Sequence, residues 1–182
     1  MELNPTSYVV LGMLRHEPRS GYEIKRAVDS STRFFWAASY GQIYPELRRL
    51  AKAGLVEGEA QATGRRKRTV YRLTAAGRQE LRRWLAEPAD TLELRDESLL
   101  KLFFAVSAAP GRAAGILDEK RRIHEQKIAR LREVEPKAAA AAASGDPFPY
   151  MVLSYGLESS EWTIDWCARV RAELDAEGER SA

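Results

Sequence analysis

Apolar residues recur at spacings of three and four in four segments of the first half of the chain, which predicts four helices. Each segment follows a residue whose side chain can accept hydrogen bonds from the first turn of a helix. These N-cap residues are Asn4, Ser20, Ser39 and Thr74. Pro5 occupies the first helical position after Asn4, and Glu23 completes a Ser-x-x-Glu capping box in the second helix. The fourth helix is expected from Ala75 to about Ala86, before Pro88.

The third of these helices has an apolar stripe and a basic outer face. Ser39 and Gln42 form a Ser-x-x-Gln capping box at its start. The stripe consists of Ile43, Leu47 and Leu50, and the residues outside it are Tyr44, Arg48, Arg49 and Lys52. Gly54 stands where a helix end favours a left-handed residue. Pro45 leaves two alternatives, an N-cap nearer Gly41 or a distorted first turn.

Two short runs after this helix, residues 55–60 and 69–73, alternate apolar and polar residues, which predicts a two-stranded hairpin. Thr63 and Gly64 supply the turn, and four cations crowd the predicted tip. They are Arg65, Arg66, Lys67 and Arg68. Like charges at this density repel one another, and DNA relieves the repulsion by releasing its condensed counterions. A solvated loop is the alternative for an isolated cationic run, but the adjacent basic helix favours nucleic acid.

The predicted order of three helices and a hairpin is that of a winged helix-turn-helix. In this fold the third helix enters the major groove of DNA, and the hairpin, called the wing, lies along the backbone. The order of the elements and the placement of the positive charge agree with each other. The first half of the chain is therefore predicted to be a DNA-binding head.

The second half is predicted to be helical throughout, after a hinge at residues 87–95. Asp96 caps a short helix with apolar residues on nearly every side, which indicates burial on most sides. These residues are Leu99, Leu100, Phe103, Phe104 and Val106. A long helix is expected from Pro110 to about Glu135. Its apolar stripe is Ile116, Ile123, Ile128 and Leu131, and its exposed residues include Lys120, His124 and Lys127.

The alanine run at residues 138–143 is compatible with either helix or linker. The last helix is expected from about Tyr150 to Glu177. Its stripe is Met151, Tyr155, Trp162, Trp166, Val170 and Leu174, widened by Leu157, Ile164 and Cys167. Two long striped helices can pack on each other and place the excess apolar surface on a second copy. A DNA-reading head needs two copies to reach half-sites one helical turn apart, so a dimerisation module is favoured over a self-contained monomeric hairpin.

The charge is divided unevenly between the two halves. Residues 1–86 hold 16 Lys and Arg against 8 Asp and Glu, whereas residues 87–182 hold 13 against 18. This indicates an anion-binding head on a different kind of body. The single cysteine, Cys167, excludes an intrachain disulfide and a thiolate metal cluster. No apolar run approaches the roughly 20 residues of a membrane helix, and the N-terminus does not resemble a signal peptide, so we expect a cytoplasmic protein.

Several short motifs resemble those of the PadR family of bacterial transcriptional regulators. They are Leu11-Gly12-Met13-Leu14, Ser20-Gly21-Tyr22-Glu23-Ile24, Ser39-Tyr40-Gly41-Gln42-Ile43-Tyr44-Pro45-Glu46-Leu47, Arg49-Leu50-Ala51-Lys52-Ala53-Gly54-Leu55-Val56 and Tyr71-Arg72-Leu73-Thr74-Ala75-Ala76-Gly77. The remainder is similar in length and helical pattern to the longer members, whose tail resembles the C-terminal domain of a virulence activator. Ala51 departs from the glutamate that many members carry there.

The resemblance implies a homodimer, usually a repressor, that binds an inverted repeat near its own promoter and often releases DNA when a small aromatic or amphipathic effector binds. Carried onto this chain, it places DNA contacts in the third helix and the wing. These residues are Ser39, Gly41, Gln42, Tyr44, Pro45, Arg48, Arg65, Arg66, Lys67 and Arg68. Gln42 is suited to adenine and Arg48 to guanine, whereas the role of Arg49 stays open. The wing cations should position the protein without reading sequence.

Four tryptophans are candidates for an effector pocket, because aromatic walls suit flat ligands. They are Trp36, Trp84, Trp162 and Trp166. Packing in the core or at a dimer interface is the more common use of such residues. The histidines His16 and His124 lie on different predicted elements and no catalytic motif is present, so neither an enzyme nor a metal or cofactor site is expected.

The predicted fold class is mainly α with a small β-wing, divided into a winged helix-turn-helix domain at residues 1–86 and an all-α dimerisation domain at residues 87–182. The predicted function is sequence-specific binding of double-stranded DNA by a transcriptional regulator. The alternative is an adaptor whose winged helix binds a protein partner. Salt-sensitive affinity for duplex DNA distinguishes the two.

Overall fold

The computed structural model describes residues 3–63, 66–89, 95–107 and 111–181, without the side chains of residues 62, 63, 66, 67, 107 and 177–181. The chain divides into two compact units, Met1–Thr91 and Leu92–Ala182, which we call the head unit and the helical unit.

The described residues of the head unit form four helices and one small sheet. The helices are α1 (Pro5–Met13), α2 (Gly21–Asp29), α3 (Tyr40–Lys52) and α4 (Ala75–Ala86), with a 3-10 turn at Thr32–Phe34. The strands are β1 (Arg19–Ser20), β2 (Val56–Thr63) and β3 (Arg66–Leu73). All four predicted N-caps precede their helices, and the side chains of Asn4, Ser20 and Thr74 accept hydrogen bonds from the first turn. The predicted winged helix-turn-helix fold is confirmed.

The sheet has three strands, so the prediction of a two-stranded hairpin was incomplete. β3 lies in the centre and pairs antiparallel with β2 along its whole length and with β1 at one end, where Arg19 is opposite Tyr71. A two-residue strand has no alternation to detect, because period-two patterning needs at least four residues. β1 ties the turn before α2 to the wing.

The helix α3 begins at Tyr40, directly after Ser39, so the alternative N-cap near Gly41 was wrong. Pro45 lies inside the helix and lacks an N–H, which removes one hydrogen bond from the second turn. The helix nevertheless continues, because Ile43, Leu47 and Leu50 are completely buried in the core of the head unit. The other helices and the sheet contribute buried side chains to the same core. They include Leu11, Ile24, Val28, Val56 and Leu73.

The described residues of the helical unit form a short helix and two long ones. They are α5 (Glu97–Phe103), α6 (Arg112–Ala143) and α7 (Phe148–Ser181), with a 3-10 turn at Ala105–Ser107. The predicted start at Pro110 lies outside the described residues. α6 continues past Pro136 and through the alanine run to Ala143, beyond its predicted end at Glu135. Alanine has the highest helix propensity, and Ala138 is buried, which favours helix over linker.

The apolar residues of α5 are not buried on most sides, contrary to the prediction. Phe103 is 80% exposed and Val106, in the following turn, is 97% exposed. Asp96 does cap the helix, because its Oδ1 accepts a 3.0 Å hydrogen bond from the Leu99 N–H. An apolar helix of seven residues is too short to bury itself, so its surface is available to another element or another chain.

The predicted stripe of α7 exists, but much of it faces away from α6. Tyr155 is 73% exposed and Trp162 is 62% exposed. The α6-facing side of α7 is instead small and partly polar. Its buried residues include Leu153, Leu157, Ser160, Thr163 and Cys167. Ser160 and Thr163 donate to main-chain carbonyls one turn earlier, so their hydroxyl groups can be buried without loss of hydrogen bonds.

Three residues of α6 that were predicted to be exposed are buried or half-buried. Lys120 is buried and forms an ion pair with Asp96, which links α6 to the start of α5. Lys127 is half-buried, and burial lowers its pKa. His124 is also half-buried, and its Nδ1 has no hydrogen-bond partner among the described residues. Burial, assisted by Lys120 and Lys127, lowers the pKa of His124.

Candidate nucleic-acid interface

The N-terminal turn of α3 presents polar groups to solvent. Gln42 Oε1 accepts a 2.8 Å hydrogen bond from the Ser39 N–H, which holds the side chain against the helix start. One lone pair of that oxygen and both amide hydrogens stay available to a base edge. Ser39, Gly41, Gln42, Tyr44 and Pro45 are all exposed. The predicted contacts on α3 therefore lie together on one accessible surface.

Two adjacent arginines of α3 have different surroundings. Arg48 is exposed and has no ion-pair partner in the described part of the chain, so its guanidinium is available for a guanine or a phosphate. Arg49 is held against the head unit by Glu46, with Nε 3.0 Å from Oε2 and Nη2 2.8 Å from Oε1. This geometry favours a structural role for Arg49.

Glu46 is a buried anion within the recognition helix, and the sequence interpretation did not single it out. Burial by itself would raise the pKa of Glu46, but hydrogen bonds from Arg49 and Ser7 outweigh that effect and lower it. A carboxylate and a guanidinium three residues apart on a helix could have suggested the pair. The contribution of Ser7 comes from α1 and had no local signal.

The base of the wing is fixed by the end of α3. The Leu55 N–H donates to the Leu50 carbonyl and the Gly54 N–H to the Ala51 carbonyl, each at 3.0 Å, which is a Schellman motif. Gly54 has the positive φ of 71° that this motif requires. Thr74 Oγ1 then donates a 2.7 Å hydrogen bond to the Gly54 carbonyl. The direction in which β2 leaves the helix is therefore determined by hydrogen bonds.

Three of the four wing cations lie within β3 rather than in the turn at its tip. Arg66, Lys67 and Arg68 are paired with Thr63, Ala62 and Gln61 of β2. The side chain of Arg68 already forms an ion pair within the protein, because its Nη1 is 3.3 Å from Glu23 Oε1 on α2. Arg65 lies outside the described residues. The two strands of the wing are therefore longer than predicted.

The four tryptophans are distributed over both units. In the head unit, Trp84 stacks on Tyr8 with ring centroids 4.5 Å apart and an angle of 7° between the planes, and Trp36 is partly exposed. In the helical unit, Trp162 is exposed and Trp166 is half-buried. A cavity of about 250 Å³ between α6 and α7 is lined by other residues. These are Leu117, Asp118, Arg121, Cys167, Ala168, Arg171, Ala172 and Asp175.

Two further findings concern metal binding and membrane crossing. Among the described residues, no group of three or more His, Cys, Asp or Glu side chains could hold a metal ion. No described helix has the length and apolar character needed to cross a membrane.

A basic recognition helix with a cationic wing defines a winged helix-turn-helix regulator of transcription. Family models agree with this class. Residues 10–83 match the transcriptional regulator PadR-like family, and residues 94–175 match the virulence activator alpha C-terminal family.

Individual relatives extend the similarity to nearly the whole chain. The negative transcriptional regulator PadR of Bacillus subtilis is 30% identical over 175 residues, covering 92% of this chain and 96% of the relative. Its crystal structure with operator DNA matches with a TM-score of 0.85 and 29% identity over 96% of this chain and 99% of that one. A second structure of the same protein, with p-coumaric acid, matches with a TM-score of 0.75 and 30% identity over 96% and 99%. The chain belongs to the PadR-like family of transcriptional regulators, in the longer form with a virulence-activator-like C-terminal region.

The predicted family resemblance is thereby confirmed over both halves. The family and these relatives are regulators rather than enzymes, as the sequence indicated.

Proposed function

We propose that this protein is a homodimeric repressor that binds an inverted repeat in double-stranded DNA near its own promoter. The observation that carries the proposal is the exposed polar surface of α3, where Gln42, Tyr44 and Arg48 are accessible while Arg49 is paired with Glu46. The Bacillus subtilis relative, a negative regulator crystallised with operator DNA, supports the same function for this chain.

In this proposal the two parts of the head have separate tasks. Gln42 and Arg48 read base edges in the major groove, and Tyr44 contacts a thymine methyl group or a phosphate. The start of α3 can approach DNA closely because its residues there are small or compact. They are Ser39, Gly41 and Pro45. The wing cations contact the backbone and add affinity without sequence preference. These wing residues are Arg65, Arg66, Lys67 and Arg68.

The two halves of the chain form domains with different functions in this proposal. Residues 1–86 form the DNA-binding domain, and residues 87–182 form the dimerisation domain. The exposed apolar side chains of the helical unit support a second copy of the chain as their partner, because a monomer would leave a large apolar surface in water. They include Leu100, Phe103, Phe104, Val106, Met151, Tyr155 and Trp162. The protein acts in the cytoplasm, where DNA and a reduced Cys167 are both expected.

A small aromatic effector releases the repressor from DNA. The complex of the Bacillus subtilis relative with p-coumaric acid supports this class of ligand. The candidate contact residues are Trp36 and Trp84 in the head unit and Trp162 and Trp166 in the helical unit. Because Trp84 already stacks on Tyr8, only its outer face is open to a ligand. The effector would favour a state in which the spacing or tilt of the two heads fits DNA poorly.

The test is fluorescence anisotropy with a labelled duplex from upstream of this protein's own gene, beside a scrambled duplex, across a salt series. Tight, salt-sensitive binding that favours the native fragment is expected. Binding to neither duplex at low salt would exclude the DNA-binding function and favour the adaptor. Addition of p-coumarate should quench tryptophan fluorescence and weaken DNA binding together, and the absence of both effects would exclude this compound as the effector.

A further inference from the structure

Three tyrosine rings form a continuous stack on the surface of the head unit. Tyr22 is the second residue of α2 and Tyr40 is the first residue of α3, and their ring centroids are 6.4 Å apart with an angle of 12° between the planes. Tyr40 continues the stack to Tyr44, at 6.2 Å and 23°. We call these three residues the tyrosine ladder. It joins the starts of the two helices of the helix-turn-helix.

The ladder is exposed although it consists of large aromatic rings. Tyr22, Tyr40 and Tyr44 are 55%, 44% and 41% exposed. Each ring is covered by a neighbouring ring on at least one side, while each side chain also carries a phenol hydroxyl group that can donate a hydrogen bond. No hydrogen bond joins any of these hydroxyl groups to the described part of the chain. A surface with this composition is suited to a partner that accepts hydrogen bonds.

Two residues of α2, Gly21 and Lys25, fix the positions of rings in the ladder. A Cβ atom on Gly21 would lie 2.6 Å from Cε1 of Tyr44, so only glycine allows this ring to approach the start of α2. The Nζ atom of Lys25 is 5.5 Å from the centroid of the Tyr40 ring, within the range of a cation–π interaction. Lys25 also forms an ion pair with Asp29, and its side chain is only 16% exposed. The ammonium group of Lys25 therefore already interacts with Asp29 and with the Tyr40 ring.

We propose that Tyr22 and Tyr40 extend the DNA-contacting surface from α3 to α2, with their hydroxyl groups donating hydrogen bonds to phosphate oxygens of the backbone. Lys25 is a positioning residue for the Tyr40 ring and does not contact phosphate. The proposal rests on the proposed DNA-binding function. Tyr44 connects the two surfaces, because it is an α3 side chain directed at DNA in that function and the ladder continues from its ring to α2. In helix-turn-helix proteins the helix before the recognition helix crosses the backbone, and tyrosine hydroxyls are among the groups that contact phosphates there.

The first test separates the hydroxyl groups from the rings. Tyr22→Phe and Tyr40→Phe keep the stack and remove one donor each, so each should bind the duplex from upstream of the gene roughly tenfold more weakly. Binding to the scrambled duplex should weaken by the same factor, since phosphate contacts carry no sequence information. Tyr150→Phe makes the same chemical change in the helical unit and should bind like the wild type. If both head variants also bind like the wild type, the ladder only packs and the proposal is overturned.

The second test concerns Lys25. Lys25→Met keeps the length of the side chain and removes its charge, so the Tyr40 ring should lose its support and affinity should fall several-fold. The slope of log affinity against log salt should not change, because the Lys25 ammonium group does not touch a phosphate. A slope reduced by about 0.9 would show a direct phosphate contact instead and overturn the positioning role. Affinity equal to that of the wild type would overturn it as well.

The two proposals fail differently in these measurements. If the wild-type protein binds neither duplex, the proposed function and the ladder contacts both fail. If the wild type binds and the phenylalanine variants match it, only the ladder contacts fail. Circular dichroism of each variant confirms that a loss of affinity comes from a folded head unit.

Discussion

The hydroxyl group of Ser7 donates a 2.6 Å hydrogen bond to Oε1 of Glu46, and this contact fastens α1 to the recognition helix. Ser7 is completely buried and Glu46 is 6% exposed. Arg49 Nη2 lies 2.8 Å from both Ser7 Oγ and Glu46 Oε1, so the buried carboxylate is paired with a cation and hydrogen-bonded. Because a buried charge is tolerated only with such partners, the cluster fixes which face of α3 points outward.

Removal of the Ser7 hydroxyl should destabilise the head unit. Ser7→Ala removes one donor to the buried Glu46 carboxylate and one acceptor from Arg49, while these two side chains stay paired with each other. We expect a loss of about 1–3 kcal/mol in the free energy of unfolding, measured by urea denaturation. Ser31→Ala removes an exposed hydroxyl that donates to the Ala27 carbonyl and should change the stability by less than about 0.5 kcal/mol. Equal effects of the two changes would show that the buried cluster contributes no stability.

Glu46 should make the stability of the head unit depend on pH under acidic conditions. Burial by itself would raise the pKa of Glu46, but the hydrogen bonds from Arg49 and Ser7 outweigh this effect and hold the pKa below that of an ordinary glutamate. The unfolded chain therefore binds this proton more readily than the folded protein. The stabilisation is complete above the unfolded pKa and is lost as the pH falls through the folded pKa.

The uncharged variant Glu46→Gln tests this dependence. It lacks the ionised form, so its difference in unfolding free energy from the wild type should be largest near pH 7 and should shrink toward pH 3. Urea denaturation at several pH values measures the difference. Glu59→Gln changes an exposed carboxylate of β2 and provides the control. A constant difference for Glu46→Gln across this range would contradict the assigned role of the charge.

Two glycines with opposite surroundings give a prediction about packing at the base of the wing. A Cβ atom on Gly77 would lie 2.0 Å from the Leu55 carbonyl oxygen, so Gly77→Ala must push α4 away from the end of α3. We expect a loss of roughly 1–3 kcal/mol by thermal or urea unfolding. A Cβ on Gly12 in α1 would meet nothing within 4 Å, so Gly12→Ala should stabilise by up to about 1 kcal/mol. A neutral Gly77→Ala would contradict the close approach.

The head could be predicted in detail because its signals are local. Caps, a single apolar stripe and turn residues lie within a few positions of each other, and each determines a helix start, a buried face or a turn. The strand β1 and the contact between Ser7 and Glu46 depend on residues far apart in the chain, so no local pattern indicates them. The side chain of Arg49 shows the difference, because its spacing from Glu46 could have suggested their ion pair, whereas its hydrogen bond to Ser7 joins residues 42 positions apart.

The helical unit was predicted less well because periodicity shows that a helix has an apolar face but not what covers it. The stripe containing Tyr155 and Trp162 was identified correctly as apolar, yet α6 packs instead against Leu157, Ser160 and Thr163. Lys120 was expected in solvent because a lysine on a charged helix usually lies there. Its partner Asp96 is 24 residues away, and that separation hides the ion pair.

The wing should account for a measurable part of the salt dependence of DNA binding. Changing Arg65, Arg66 and Lys67 to alanine should reduce the slope of log affinity against log salt by about 0.9 for each phosphate that the variant no longer neutralises. Arg68→Ala should reduce it less, since Arg68 already pairs with Glu23. Arg122→Ala, an exposed cation of α6, serves as the control and should leave the slope unchanged. An unchanged slope in the triple variant would exclude the wing as a backbone-binding element.

The exposed stripe of α7 should hold the dimer together. Phe148, Tyr155 and Trp162 are spaced seven residues apart and therefore lie on one side of the helix, opposite the residues that pack on α6. Tyr155→Glu combined with Trp162→Glu would place two charges in the proposed interface, where each would lose its hydration without gaining a partner. We expect a monomer in sedimentation or light-scattering measurements, with much weaker binding to the two-half-site duplex because only one head can engage at a time. Asp165→Lys changes an exposed charge beside the stripe and should leave a dimer. If the double variant keeps the mass of the wild type, this side of α7 does not form the interface, and the apolar surface of α5 becomes the remaining candidate.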